Sequence, residues 1–150
     1  MFEFHCKPFS DLSSSVIYGI LKLRSEVFVV EQNCIYLDCD NKDLDSLQSW
    51  IQNQEGQIIA TARILPKGVS YADYISIGRV ATNLDLRRTG VGKLLMHHVL
   101  EMCKLHFPGE LIKISAQSYL LDFYARFGFS KTGEEYLEDN IPHCAMVLIN

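Results

Sequence analysis

Ile75-Ser-Ile-Gly-Arg-Val-Ala-Thr82, a polar link Asn83-Leu-Asp-Leu86, and then Arg87-Arg-Thr-Gly-Val-Gly-Lys93 form the stretch that decides the fold. The first segment reads as a strand and the last opens a long helix. In that helix Val91, Leu94, Leu95, His98, Val99 and Met102 fall on one apolar stripe, while Lys93, His97, Glu101 and Lys104 take the opposite face. Pro108-Gly109 stops the helix, and Leu111 to Ala116 reads as a second strand. A helical crossover between them makes the two strands parallel.

A strand, a glycine-bearing loop and a helix in this order present the free N–H groups of the first helical turn to an anion. Gly90 and Gly92 lack a Cβ, so the backbone there can take positive φ and approach a phosphate closely. Two common phosphate motifs are excluded. Leu94 stands where a P-loop needs Ser or Thr, and Leu95 stands where a dinucleotide fingerprint needs its third glycine. In the preceding strand the apolar alternation of Ile75 and Ile77 slips by one residue to Val80 and Thr82. Such a change of phase marks a β-bulge at Gly78-Arg79; the simpler alternative is a strand that ends at Gly78.

Outward from this stretch, Phe2, Phe4 and Cys6 alternate with polar residues as a half-buried strand, and Pro8 ends it. A helix starts within Ser10–Ser15, with Val16, Ile20, Leu23, Val27 and Val30 on its buried side and Leu21 and Phe28 widening the face. The loop from Glu31 to Asp45 is acidic, with Asp38, Asp40, Asp43 and Asp45 against Lys42. It lacks the central glycine of a calcium loop, so it is either a solvated acidic loop or an electrostatic lure for a cation. Leu47–Gln52 and Gln57–Leu65 form a hairpin, and the second strand is largely apolar on both faces, as a strand covered on both sides would be. Gln117–Phe127 reads as a short helix. Glu134–Leu137 and Cys144–Ile149 read as closing strands joined through residues 138–143.

The 150 residues fit one domain, 1–150, with 48% hydrophobic and 21% charged residues, which excludes a disordered chain. A net charge of −4 argues against nucleic acid as a partner. Five scattered cysteines without metal-ligand spacing point to reduced thiols, a cytoplasmic location and no metal. Neither a signal peptide nor a membrane span is visible.

Arg87-x-x-Gly90-x-Gly92 and the later segment Gln117-Ser-Tyr-Leu-Leu-Asp-Phe-Tyr124-Ala-Arg-Phe-Gly128-Phe129 together resemble the two cofactor segments of the GNAT N-acetyltransferase superfamily. Gln117 replaces the usual Asn, and Leu120 the usual Ala. Val29-Val-Glu-Gln32, Asp38-x-Asp40, Ile77-Gly-Arg-Val80 and Glu138-Asp-Asn-Ile-Pro-His143 are similar to its ElaA-like branch. The resemblance implies an α/β fold, a central twisted mixed sheet with splayed parallel strands flanked by helices. It implies acetyl-CoA as cofactor, held by Val80, Ala81, Thr82, Arg87, Arg88, Gly90, Val91, Gly92, Lys93, Gln117 and Tyr124. The acceptor implied is an amine, on a small molecule or on a protein or peptide, and the chain acts as a monomer or homodimer.

An ammonium has no free lone pair, and freeing a lysine-like amine at pH 7 costs about 4–5 kcal/mol. Direct attack in a ternary complex therefore calls for a base, and Glu31 and His143, with Glu138 and Asp139, are the loop residues able to supply one. A backbone N–H near Val80 is the expected oxyanion donor. By its place in the second segment Tyr124 is the expected proton donor to the leaving thiolate; the alternative is a packed aromatic. Arg79 contacts either the acceptor or the structure. A non-catalytic acyl-CoA-binding regulatory domain and an acyltransferase for longer acyl groups remain the alternatives.

Overall fold

Seven strands carry the chain: β1 (Glu3–Pro8), β2 (Leu47–Gln52), β3 (Ile58–Leu65), β4 (Ile75–Thr82), β5 (Leu111–Gln117), β6 (Ser130–Glu138) and β7 (Ile141–Ile149). Three α-helices accompany them, α1 (Ser14–Arg24), α2 (Val91–His106) and α3 (Leu121–Ala125), in a computed structural model that describes residues 1–149. The strands form one mixed sheet in the order β1-β2-β3-β4-β5-β7-β6. Every neighbouring pair is antiparallel except β4 and β5, which the α2 crossover makes parallel. Among the described residues no helix is long and apolar enough to cross a membrane.

The main core lies between α2 and one face of the sheet. Val91, Leu95, Met96, Val99 and Cys103 bury against Ile64, Ile77, Ile112 and Ile114. The stripe is rotated from the sequence expectation: Leu94 is 43% exposed, whereas Met96 and Cys103 are fully buried. The opposite face takes α1, whose Leu23, together with Val27 just beyond it, packs on Ala81. Ser13 caps α1 by accepting from the Val16 N–H at 3.3 Å. Beyond Arg24 the helix widens into a π-helical turn, Ser25–Glu31. That extra width rotates Val30 outward to 75% exposure, so the expected burial of Val30 is incorrect.

Three further expectations are corrected. Gln117 is the last residue of β5, and the segment after it is a 3₁₀ turn, Ser118–Leu120, followed by the short α3. The closing strands are longer than expected, because residues 138 and 141–143 are themselves paired. A two-residue turn joins them, with Asp139 and Asn140 both at positive φ (51° and 62°), the conformation that matches strand twist in a tight hairpin.

The third correction concerns the acidic loop. Asp38, Asp40 and Asp43 are neither solvated nor available as a lure; they turn inward onto three arginines. Arg24, 1% exposed, donates from Nε to Asp38 at 2.8 Å and from Nη1 and Nη2 to Asp43 at 2.7 and 3.1 Å. Arg63 on β3 reaches Asp40 at 2.7 and 2.8 Å and Asp43 at 3.2 Å. Gln48 donates to Asp43 at 3.0 Å and to Ser46 Oγ at 2.8 Å. Arg79 completes the cluster on Asp38 and Asp40. A buried guanidinium without a partner is prohibitively costly, so these acids are structural counterions.

Burial opposes charge on Arg24 and Arg63, yet the carboxylates more than offset it and raise both pKa values. Hydrogen bonds from Arg63 hold the Asp40 carboxyl well below the usual carboxylate range; burial pushes Asp43 up, but Arg24 and Arg63 outweigh it and its pKa is lowered too. A carboxylate that titrates lower when folded contributes stability above its unfolded pKa of about 4, and loses it as the pH falls through that value toward the folded one. The thermal midpoint should therefore hold between about pH 7 and 5 and drop below about pH 4. Asp43→Asn should cost about 3 kcal/mol at pH 7 and flatten that acid drop. Chemical denaturation across pH measures both, and an unchanged acid slope in the variant would remove Asp43 from the account.

Candidate functional site

The feature that makes a site is a divergence inside the sheet. β4 and β5 pair only through Ile75–Ile112 and Ser76–Lys113. Beyond that point each follows its outer neighbour: Ala81 and Thr82 stay paired with β3, and Ile114 to Gln117 stay paired with β7. The two inner edges separate and leave a wedge between Ile77–Thr82 and Ile114–Gln117. A bulge is present, one residue beyond the expected Gly78-Arg79, at Arg79-Val80. Thr61 faces Ala81 and Arg63 faces Gly78, so Arg79 and Val80 stand opposite Ala62 alone. Ile77 and Thr82 consequently share the face of α2, whereas Ala81 turns to the face of α1.

At the open end of β4 the chain makes a 3₁₀ turn, Leu84–Leu86, capped by Asn83 Oδ1 accepting from the Asp85 N–H at 2.9 Å. Arg88 and Gly90 both adopt positive φ, 64° and 91°, and α2 begins at Val91. Gly90 is the N-cap and offers no side-chain acceptor, so the N–H groups of Val91, Gly92 and Lys93 are left for another acceptor. A Cβ at Gly90 would meet nothing within 4 Å, so its role is backbone geometry and open approach. A Cβ at Gly92 would make ordinary contact with Thr82 and Phe123. The Val91 and Ala81 side chains are buried, so only their backbones can serve a ligand, while Lys93, Arg87 and Arg88 are exposed.

Arg87 is engaged across the fold. Its Nη2 donates to Glu31 Oε1 at 2.6 Å and its Nη1 also contacts that carboxylate, an attachment that raises the Arg87 pKa and ties the π-helical turn to the loop. On the β5 side of the wedge, Tyr124 is 7% exposed and packed edge-on against Phe123 (5.1 Å between centroids) and Phe129 (6.0 Å). Burial, with a smaller contribution from Tyr119, raises its pKa, so the hydroxyl keeps its proton across the physiological range.

On the face away from α2, His143 lies directly opposite Gln117 in the β5–β7 register. Its Nδ1 contacts the Ile141 carbonyl at 2.6 Å, which places the proton on Nδ1, and its Nε2 lies 3.5 Å from the Glu138 carboxylate. Its ring stacks on Tyr136, whose hydroxyl hydrogen-bonds Ser115 of β5. Glu31 and His143 therefore lie in different places, one bound to the anion loop and one on β7, across β5 from the wedge. His98 contacts the His5 carbonyl at 3.1 Å and His97 packs on Phe127, both structural. A cleft of about 210 Å³ between α1 and the β2–β3 hairpin is lined by none of the candidate site residues.

The family model described as "Acetyltransferase (GNAT) domain" matches residues 25–149. The protein ElaA of Escherichia coli is 42% identical over 147 residues, covering 97% of this chain and 95% of that one. The ElaA crystal structure superposes with a TM-score of 0.91 at 40% identity over 98% and 99% of the two chains. An acyl-CoA N-acyltransferase from Pseudomonas aeruginosa matches equally, with a TM-score of 0.91 at 36% identity over 98% and 99%. A CoA-dependent acyl-homoserine lactone synthase, BjaI, solved with isopentyl-CoA, shares the fold at 18% identity and a TM-score of 0.79 over 98% of this chain and 82% of that one.

A carboxylate at position 90 would cap α2 itself, take the first-turn N–H groups and repel a phosphate. Gly90→Asp should weaken calorimetrically measured coenzyme A binding at least about ten-fold, and Gly90→Ala, which adds only backbone strain, far less. Equal affinity in wild type and Gly90→Asp would place the anion site elsewhere.

Proposed function

The chain belongs to the GNAT acetyltransferase family, and on that premise we propose that it moves an acetyl group from acetyl-CoA to a primary amine, with donor and acceptor bound together and residues 1–150 acting as one domain. The observation that carries this reading is the wedge between β4 and β5 beside an uncapped helix N-terminus. The N–H groups of Val91, Gly92 and Lys93 hold the pyrophosphate, with Arg88 adding charge and Arg87, paired with Glu31, holding the loop in place. The backbone of Val80, Ala81 and Thr82 and the side chain of Gln117 line the wedge. The thioester supplies an activated acyl carbon, and the bulged strand supplies the Val80 N–H to its carbonyl oxygen.

Of the two candidate bases, His143 is favoured. With its proton on Nδ1, the Nε2 lone pair can accept from an ammonium, and the Glu138 carboxylate stabilises the imidazolium that results. Glu31 is bound to Arg87, so its carboxylate is already occupied by that guanidinium. Tyr124 keeps its proton and delivers it to the departing thiolate. An acceptor on a small molecule or on a peptide suits this site equally. A second reading, transfer of a longer acyl group, draws on the fold shared with the isopentyl-CoA-bound synthase.

Tyr124→Phe retains the ring packing and loses the proton. It should lower kcat about a hundred-fold while leaving coenzyme A affinity within about two-fold. Acetyl-CoA, butyryl-CoA and octanoyl-CoA compared against an amine panel decide the acyl group. Binding without turnover across the whole panel would replace the enzyme reading with a binding module, and an undiminished kcat in Tyr124→Phe would end the proton-donor role.

A further inference from the structure

Resting on the acyl-transfer reading, we propose that Arg79 is a positioning residue: it bolts the β4 bulge to the 32–45 loop and so aims the Val80 N–H into the wedge. Arg79 has a φ of 50°. A residue with a Cβ is strained in the left-handed region and persists there only where its surroundings hold it. Gly78, its neighbour, would take that conformation freely and has nothing within 4 Å of a Cβ position, yet the positive φ falls on the arginine. The bulge is thus fixed by a side chain rather than by glycine freedom.

The anchor is built in layers. Arg79 Nη2 donates to the Asp38 carbonyl at 2.9 Å and lies 3.5 Å from Asp40. Its Nε is 2.8 Å from Asp38 Oδ1, close enough for an ion pair but off the line of a hydrogen bond. The guanidinium sits 5.7 Å from the centroid of the Tyr36 ring, and the Tyr36 hydroxyl donates to Asp38 at 3.2 Å. Burial, against the pull of Arg79, pushes the Tyr36 hydroxyl up to about 12, so it remains a donor. Asp38 and Asp40 are themselves held by the buried Arg24 and Arg63. With its donors turned onto the loop, Arg79 is committed to the structure and not to an acceptor. Order in the loop is thereby transmitted to the backbone that meets the acyl carbonyl.

The test separates carbonyl recognition from general binding. Coenzyme A and its S-acetonyl thioether, which carries a ketone, are titrated against wild type, Arg79→Gly and Arg79→Gln, the last retaining side-chain length and a donor. Both variants should bind coenzyme A within about two-fold of wild type, bind the ketone about ten-fold more weakly, and lose about ten-fold or more in kcat. Arg79→Lys should recover part of the ketone affinity. Unchanged ketone affinity, or equal losses for both ligands, would overturn the role of Arg79 and leave the cofactor site standing. Failure of wild type to bind coenzyme A would overturn both.

Discussion

Two residue pairs, Ile75 with Ile112 and Ser76 with Lys113, are all that join the halves of this sheet, and the architecture of the site follows from that economy. Parallel strands that stayed paired to their ends would bury their ladder groups in one another. Here the inner edges part after two pairs, and each strand stays with its antiparallel neighbour, β4 with β3 and β5 with β7. Backbone groups left unpaired inside a protein are costly unless something else satisfies them. The wedge is therefore a place where a ligand with its own amides and carbonyl can complete a ladder the chain leaves unfinished. The bulge and the α2 N-terminus stand at the same end of β4, so the loop and the strand address one molecule.

The loop that follows the π-helical turn is held together by charge rather than by oil. The segment from Asn33 to Asp45 carries Ile35 and Leu37 almost wholly in solvent, at 100% and 82% exposure, while Asp38 and Asp43 are buried and Asp45 stays exposed. A loop of this length whose regular structure is one 3₁₀ turn, Lys42–Asp45, needs another source of order, and three arginines supply it from α1, β3 and β4. Such clusters add little net stability relative to an apolar core, but breaking one member strands a buried charge. The cost of error is what fixes the geometry. Because the acids come from one loop and the arginines from three elements, the cluster registers helix, sheet and loop against one another.

Much of this was legible in the chain. The 3.6-residue stripe gave α2, the two glycines its phosphate-facing start, and the slip from Ile77 to Val80 the bulge, because each depends on neighbours close in sequence. The ionic cluster was not legible, since its partners lie 14 to 41 residues apart and only folding brings them together. Its trace was present nonetheless: Arg24 falls on the apolar side of α1, four residues after Ile20, and Arg63 interrupts a strand otherwise apolar on both faces. A buried position with a charge is an announcement that a counterion exists. Val30 misled because an α-helical period was continued through a π-helical turn, and β6 because a strand exposed along its whole length has no apolar alternation to read. Asp139-Asn140 joined those strands without the glycine that usually marks such a turn.

The near-division of the sheet at β4 and β5 also has a temporal side. Strands β1 to β4, the helix α1 and all six charges of the cluster lie within the first 82 residues, and β5 to β7 begin only at residue 111. As the chain leaves a ribosome, the amino-terminal half holds every partner it needs for its antiparallel ladder and its counterions before β5 exists. Its exposed edge at β4 then waits for α2 to deliver β5, the slow, long-range parallel step. The edge that later receives a ligand is thus the same one that stands unprotected during synthesis, and Lys113 and Ser76 close only its foot.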